Sequence, residues 1–263
     1  LIFKASRLLP DSLNIDHLLE SGRQQLHREV DYILEAKNQK IFLKNLKRDK
    51  RFKIPEINDD FSKSNIIAME YMDGVTIEKL DSCNQELKDS VISSLVFLVF
   101  REIFEFKIIQ TDPNYANFLF NEKSRKIVLL DFGATNIIPE KISKLFRAIL
   151  IETLFGDKKS VERALKKAGL ISHKIPSEII AKIINIYWQA SESIRENKLF
   201  CFGETPVFED IQSLGFELFK YKEEIKLPDP EILFIQRKIG GLFMLGRRFN
   251  AKINLKLIIQ NYI

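Results

Sequence analysis

Apolar side chains recur every three to four residues along several long stretches of this 263-residue chain, which is the spacing typical of amphipathic α-helices. The spacing predicts one helix from Asn14, a suitable N-cap residue, to about Leu46. A second and more apolar helix is predicted from Gln85 to Lys107. After Pro139 the pattern is helical almost to the end, with helices predicted over Glu140–Phe155, Lys158–Ala168, Ser177–Asn197, Glu209–Tyr221 and Pro230–Arg248.

Shorter apolar runs lie between the first two helices and directly after the second. Ile66–Met72 is predicted to form a short buried strand, closed by the Asp73–Gly74 turn. Two further strands, Asn117–Phe120 and Lys126–Leu130, flank a polar turn over Asn121–Arg125. The pattern therefore predicts an α+β fold in which a small mixed portion precedes a large helical one.

The amino-acid composition is that of a soluble protein and argues against a disulfide-stabilised or membrane-spanning one. With 45% hydrophobic and 29% charged residues the chain is expected to fold as an ordinary soluble protein. The net charge of +5 suits a nucleotide, an anionic lipid surface or RNA, and selects none of them. Cys83 and Cys201 lack the spacing of a disulfide framework or zinc site, which favours a reducing compartment. A membrane-spanning helix needs about 20 consecutive apolar residues. The apolar stretch Val91–Ile109 is interrupted by the charged residues Arg101 and Glu102, so we expect it to form a buried helix instead.

The candidate chemistry lies around the predicted hairpin, in QTDPNYANFLFNEKSRKIVLLDFGAT from residue 110 to 135. Asn117 follows Asp112 by five residues, and Asp131-Phe132-Gly133 follows the second strand. Mg²⁺ requires oxygen ligands, such as carboxylate and amide oxygens. Kinase-like sites supply them from two loops, an Asp followed five residues later by an Asn and, further along the chain, an Asp-Phe-Gly. We therefore expect Asn117 and Asp131 to be metal ligands, and Asp112 to orient or deprotonate an acceptor. The alternative is a polar hairpin in which Asp112 caps a turn and Asp131 ends a strand.

A second group of carboxylates lies in the first predicted helix, in HREVDYILE. Asp31 and Glu35 are four residues apart and share a helix face, whereas Glu29 lies on another side. A carboxylate on such a helix can pair with the lysine that holds nucleotide phosphates. The alternative is a solvated acidic stripe.

These motifs resemble a known family. QTDPNYANFLF followed by VLLDFGAT, with REVDYILEA upstream and QRKIGGLF near the end, is similar to the UbiB-type (aarF-domain) atypical kinase-like proteins of coenzyme Q biosynthesis, in their mitochondrial and alphaproteobacterial branch. The resemblance covers nearly the whole chain. It implies a protein-kinase-like fold, with a partial N-lobe of acidic helix and hinge over residues 1–72 and a helical C-lobe over residues 73–263.

The resemblance also implies roles for residues. Glu35 would pair with the phosphate-gripping lysine, and Glu29 and Asp31 would form an E-x-D motif. Glu70 and Met72 would belong to the hinge that faces adenine. ATP and Mg²⁺ are the implied cofactors. The implied partners are lipophilic ubiquinone precursors, an anionic lipid surface and other coenzyme Q biosynthesis proteins, with no nucleic acid. The implied location is the matrix side of the mitochondrial inner membrane, or the bacterial inner membrane or cytoplasm.

The sequence also departs from the family pattern. The K-x-G-Q extension, the alanine-rich nucleotide loop and the lysine-bearing strand do not occur in it, and Lys4 lies too close to the following helix to supply that lysine. The chain is therefore expected to be an N-terminally truncated piece. Asn114 stands where many protein kinases have a lysine, which disfavours ordinary protein phosphorylation. Two alternatives stay open at this point: a small-molecule phosphotransferase of kinase-like fold, and a non-catalytic interaction module.

Overall fold

The computed structural model describes residues 31–112, 114–204, 210, 213–214, 217–218, 221 and 228–263. Its α-helices are α1 Tyr32–Leu46, α2 Gln85–Arg101, α3 Glu140–Phe155, α4 Lys158–Lys167, α5 Ser177–Ala190, α6 Glu192–Arg195, α7 Pro230–Arg248 and α8 Leu255–Ile259. Short 3₁₀ helices cover Ile77–Ser82, Tyr115–Asn117 and Gln260–Tyr262, and a π-helix covers Glu102–Phe106. The strands are β1 Phe52–Lys53, β2 Val75–Thr76, β3 Ile108–Gln110, β4 Phe118–Asn121, β5 Lys126–Leu129, β6 Thr135–Ile137, β7 Phe200–Cys201 and β8 Lys252–Ile253.

The strands form small sheets at one side of the helices. The largest has the order β1-β5-β4-β2, in which β1 runs parallel to β5 and the other pairs are antiparallel. The hairpin β4–β5 pairs Phe118 with Leu129 and Asn121 with Lys126. The strands β3 and β6 pair separately, as do β7 and β8. The predicted α+β fold and the predicted hairpin are therefore confirmed.

The long helix predicted from Asn14 to Leu46 is interrupted. A new helix begins at Tyr32, and Asp31 is its N-cap, because the Asp31 carboxylate accepts a hydrogen bond of 3.0 Å from the backbone N–H of Leu34. An N-cap residue has non-helical backbone angles, so a continuous helix cannot pass through it. The part of the prediction before residue 31, including Lys4 and Glu29, lies outside the described residues.

The buried strand predicted over Ile66–Met72 is wrong. The segment forms only isolated bridges, Ile57 with Met69 and Lys63 with Ile66, and the side chain of Tyr71 is 89% exposed. Among the described residues its backbone pairs only with the chain just before it, and no second neighbour covers its other side. The side chains of Ile66 and Tyr71 are exposed and the other apolar side chains of the segment are only half-buried, so the segment is not part of the core.

Two other helices differ from their predicted lengths. The run predicted to be helical over Gln85–Lys107 is helical from Gln85 to Phe106, but α2 gives way to the π-helix at Glu102. The helix predicted over Ser177–Asn197 divides at Ser191, whose hydroxyl donates back to the carbonyl of Tyr187 at 2.8 Å. Most of the helix predicted over Glu209–Tyr221 lies outside the described residues.

The main hydrophobic core joins both halves of the sequence. Phe42 of α1 and Phe52 of β1 belong to the same buried cluster as Phe132 and Ile235. A second cluster, built around Val161 and other apolar residues of α3, α4 and α5, lies within the helical part. The chain boundary proposed at residue 72 therefore crosses a shared core, and the division into lobes stays a prediction. No helix in the described ranges is long and apolar enough to cross a membrane.

Candidate active site

Two loops meet beside the small sheet formed by β3 and β6. The first loop begins with Asp112 directly after β3, and the second, Asp131–Gly133, lies just before β6. The pairing of these strands continues beyond their ends, because the backbone N–H and the hydroxyl of Thr111 both donate to the carbonyl of Ala134 at 2.9 Å. This antiparallel pairing places the two loops next to each other.

The hairpin β4–β5 brings the loops together from the other side. Its ladder continues past its first pair, since the backbone N–H of Leu130 donates to the carbonyl of Asn117 at 3.0 Å. Asn117 ends the short 3₁₀ helix that leads into β4, and Asp131 comes directly after Leu130. Asn117 and Asp131 are therefore neighbours across the open end of the hairpin.

The side chains of Asp112, Asn117 and Asp131 form one hydrogen-bonded cluster. The Nδ2 of Asn117 donates to Oδ2 of Asp112 at 2.6 Å and to Oδ2 of Asp131 at 3.3 Å. The backbone holds the other carboxylate oxygens, since the N–H of Gly133 donates to Oδ1 of Asp131 at 2.9 Å and the N–H of Asn114 to Oδ1 of Asp112 at 3.2 Å. Asp112 thus stabilises a turn, as the alternative interpretation expects, but its second oxygen also faces the cluster.

The donor set of this cluster suits a hard dication. Two carboxylates and one amide are all oxygen-bearing groups, and Mg²⁺ is commonly held by one or two carboxylates together with phosphate oxygens and water. To act as a ligand, Asn117 must turn its amide so that Oδ1 replaces Nδ2 toward the carboxylates. Within the described ranges no group of three or more His, Cys, Asp and Glu side chains is arranged to hold a metal. Mg²⁺ held by these side chains would keep positions for water and for nucleotide phosphate oxygens.

Glu35 lies at the inner edge of the same cluster. Its carboxyl is buried, and burial raises its pKa, as does the nearby charge of Asp131, while the backbone amide of Phe132 acts in the opposite direction. No ion pair with Glu35 is formed by the lysines and arginines that the structure describes. The predicted association of Glu35 with the candidate site thus has a geometric basis, whereas its pairing with a lysine stays a prediction.

Helix α1 also holds the backbone and ring of Phe132. The side-chain amide of Asn38 donates to the carbonyl of Phe132 at 3.1 Å, and the rings of Phe42 and Phe132 lie 4.8 Å apart between their centroids. Both rings are almost completely buried. Helix α1 therefore fixes the residue that follows Asp131.

The remaining predicted site residues lie elsewhere. Asp31 is exposed and caps α1, and Glu29 is outside the described residues. Glu70 is exposed and its side chain pairs with Lys53 at 2.9 Å, which lowers the Glu70 pKa. Met72 is half-buried. The structure therefore brings Glu35, Asp112, Asn117 and Asp131 together, and it engages Asp31 and Glu70 in other contacts.

The sequence interpretation missed residues that support the site from behind. Gln110, Asn38 and Lys238 are polar side chains buried beside the loops. Lys238 shares a face of α7 with the buried Ile235 and Leu245, and a cation at an apolar position of an amphipathic helix is a signal that could have identified it.

Comparisons with known proteins identify the family. The model of the ABC1 atypical kinase-like domain matches residues 1–165. The chain is 30% identical over 255 residues to the atypical kinase COQ8B, mitochondrial, of Danio rerio, covering 97% of this chain and 40% of that protein. It is 31% identical over 257 residues to the atypical kinase COQ8, mitochondrial, of Saccharomyces cerevisiae, covering 97% of this chain and 51% of that protein. The chain thus spans about half the length of these relatives or less.

A solved structure supports the fold. The complex of Rv3197 with erythromycin from Mycobacterium tuberculosis matches with a TM-score of 0.76 at 18% identity, over 95% of this chain and 62% of that chain. At this level of identity the likeness concerns the fold alone, and it agrees with the kinase-like fold predicted from the motifs. The family model, which matches residues 1–165, and the relatives at 30% and 31% identity show that the chain belongs to the ABC1 atypical kinase-like family, the UbiB-type family whose motifs its sequence carries.

Proposed function

We propose that this chain carries the Mg²⁺-dependent nucleotide site of an atypical kinase that acts as an ATPase or phosphotransferase in support of ubiquinone biosynthesis. The observation that carries the proposal is the cluster in which the Asn117 amide joins the carboxylates of Asp112 and Asp131. The hairpin and the β3–β6 pairing bring these three side chains together, and the oxygen-bearing groups that they gather in one place suit a hard dication.

Each residue of the cluster has a distinct role in this proposal. Asp131 and Asn117 would hold Mg²⁺, which when bound would neutralise the charge of the nucleotide phosphates. The backbone N–H of Gly133 donates to Oδ1 of Asp131 and would keep the carboxylate in one orientation. Asp112 would accept the proton of the attacking hydroxyl or water, or hold that group in line.

The burial of Glu35 also supports a nucleotide site. A carboxyl that is desolvated and close to Asp131 is ready to be stabilised by a cation. In a complete nucleotide site that cation would be the phosphate-gripping lysine, and the pair would connect α1 to the phosphates. Asn38 and Phe42, on the same helix, would transmit this position to Phe132 and hence to Asp131.

The biological setting follows from the relatives. The matched proteins are named mitochondrial COQ8 atypical kinases, and we propose the same setting here: coenzyme Q biosynthesis beside the mitochondrial inner membrane, or the bacterial inner membrane or cytoplasm. Lipophilic ubiquinone precursors and other proteins of that biosynthesis are the proposed partners. The basic net charge of +5 favours contact with an anionic lipid surface.

Calorimetric titration with Mg-ATP tests the proposal. We expect metal-dependent binding that weakens by at least about tenfold in Asp131→Asn, since the neutral amide loses the charge that attracts the dication. Asp60→Asn is the matched control, because Asp60 is exposed and makes the same change of charge away from the site. The titration should be run on this chain and on the natural full-length gene product in parallel.

The outcomes also separate the alternatives. Binding in both proteins that is equal in Asp131→Asn and in the control would contradict the proposed site. If the full-length product shows no detectable binding of Mg-ATP, a non-catalytic interaction module would be favoured. Phosphate transfer to a small polar acceptor, faster than ATP hydrolysis alone, would favour a small-molecule phosphotransferase.

A further inference from the structure

Helix α7 contacts the catalytic loop on both sides of Asp112. Before Asp112, the Nζ of Lys238 donates to Oε1 of Gln110 at 3.2 Å. After Asp112, the hydroxyl of Tyr115 donates to the carbonyl of Gly241 at 2.7 Å. Lys238 and Gly241 are three residues apart and so lie on one face of the helix. A single rigid element therefore holds the loop at two points.

The contact through Lys238 reaches the backbone of Asp112 itself. Gln110 uses its side-chain oxygen to accept from Lys238 and its Nε2 to donate to the carbonyl of Asp112 at 3.3 Å. The amide of Gln110 is thus held in one orientation, since reversing it would put two donors face to face. Gln110 is only 4% exposed, so water does not compete for these bonds.

A buried carboxylate fixes Lys238 in turn. The Nζ of Lys238 lies 3.1 Å from Oε1 and 3.0 Å from Oε2 of Glu102, and the two side chains are 10% and 1% exposed. Glu102 begins the π-helix, a local widening of the helix that often occurs at functional sites. Burial raises the Glu102 pKa, and the adjacent charge of Lys238 opposes that rise. The pair is costly to bury, which argues that it serves more than packing.

The voids around Lys238 connect this pair to the candidate site. A cavity of about 10 Å³ is lined by Lys238, Glu102 and Gln110 together with Asn117 and Asp131. A second cavity of about 40 Å³ is lined by Lys238, Asp112 and Tyr115 among others. Lys238 therefore shares a cavity with each of the three residues of the cluster.

We propose that Lys238 is a positioning residue, which sets the orientation of Asp112 through Gln110 while Glu102 holds Lys238 in place. The inference rests on the proposed function, since it assigns Lys238 to the same reaction. Lys238 does not touch the reacting groups in this arrangement. Its loss should therefore reduce turnover and leave nucleotide affinity nearly unchanged, because Asn117 and Asp131 keep their own contacts.

Steady-state ATP hydrolysis by the natural protein that carries this chain tests the inference. Lys238→Met alone would leave Glu102 without its cation and could fail to fold, so the decisive variant is the double change Lys238→Met with Glu102→Gln, which removes both buried charges. We expect kcat to fall by about tenfold to a hundredfold, with the KM for Mg-ATP within about threefold of the wild type. Gln110→Met leaves the ion pair of Lys238 and Glu102 intact, and it should likewise lower kcat while leaving the KM for Mg-ATP nearly unchanged. Arg237→Met, at the exposed neighbouring position, is the control.

The possible results separate the inference from the proposed function. Unchanged kcat in the double variant and in Gln110→Met would overturn the positioning role while leaving the nucleotide site intact. A rise in KM that accounts for the whole loss would also overturn it, because it would place Lys238 in nucleotide binding. A wild-type protein without Mg-ATP turnover would overturn both proposals.

Discussion

At the scale of single residues, Glu35 is a buried carboxyl beside the candidate site, and its pKa is raised. It is buried against Phe132 and close to Asp131, and both burial and the Asp131 charge raise its pKa above the ordinary value of 4.5. The folded chain therefore holds the Glu35 proton more tightly than the unfolded chain does. The contribution of Glu35 to stability is complete below about pH 4.5 and is lost as the pH rises through the folded pKa.

We expect Glu35→Gln to increase the free energy of unfolding of this chain at pH 7. The glutamine keeps the shape of the side chain and removes the cost of a buried carboxylate beside Asp131. The gain should shrink as the pH falls, because protonation of the wild-type carboxyl removes the buried charge. Urea unfolding at a series of pH values measures the difference.

Glu56→Gln provides the control for this measurement, because Glu56 is exposed and the change is chemically identical. Lower stability of Glu35→Gln at pH 7 would contradict the expectation. It would mean that a cation holds the Glu35 carboxylate ionised in the folded chain.

At the scale of elements, the site depends on how α1 packs against the loop after β5. Phe42 is fully buried and its ring packs on that of Phe132, one residue beyond Asp131. Asn38, one helical turn earlier, holds the carbonyl of Phe132. The two contacts come from one face of α1, so any rotation of this helix would move the loop that contains Asp131.

We expect Phe42→Ala to lower the free energy of unfolding by about 3–5 kcal/mol, because it removes a large buried ring and leaves a cavity beside Phe132. Phe42→Leu should cost much less, since it refills most of the volume. Urea unfolding followed by circular dichroism measures both. Phe61→Ala is the matched control, since Phe61 is 70% exposed, and a similar loss in that variant would refute the packing argument.

The hairpin shows what kind of element was predictable. Its strands, its polar turn and the order of its loops follow from a short alternation of apolar and polar residues, and these were confirmed. The segment Ile66–Met72 has an equally apolar sequence and is not a buried strand. The difference lies in the neighbours, because β4 and β5 each pair on both edges within their sheet, whereas residues 66–72 pair along one edge only.

At the scale of the whole molecule, charge is the property that bears on location. The chain carries 41 Lys and Arg against 36 Asp and Glu, for a net charge of +5. Each basic side chain near an anionic bilayer contributes about 1 kcal/mol of attraction, and salt screens this attraction.

We therefore expect the chain to sediment with vesicles of phosphatidylcholine and phosphatidylserine, and not with vesicles of phosphatidylcholine alone. Sodium chloride should release it, since the screening length falls from about 10 Å at 0.1 M to about 3 Å at 1 M. Equal binding to both kinds of vesicle, or binding that resists salt, would contradict an electrostatic association and point to apolar insertion instead.

The sequence by itself determined the family, the α+β class and the order of the helices and of the hairpin. It did so because helix periodicity, turn residues and the spacing of Asp112, Asn117 and Asp131 are local properties. Its errors have two causes. Apolar spacing did not register the capping bond from Leu34 to the Asp31 carboxylate that starts α1 at Tyr32, and it could not show that, among the described residues, the segment 66–72 pairs along one edge only.

Only the tertiary structure decided how the candidate site is held. The approach of Asn117 to both carboxylates depends on two separate strand pairings, and the burial of Glu35 depends on α1 packing over Phe132. The contact of Lys238 with Gln110 joins residues 128 positions apart. Hydrogen bonds act only over a few ångströms. Local sequence patterns do not show which residues, far apart in the chain, will come that close when the chain folds.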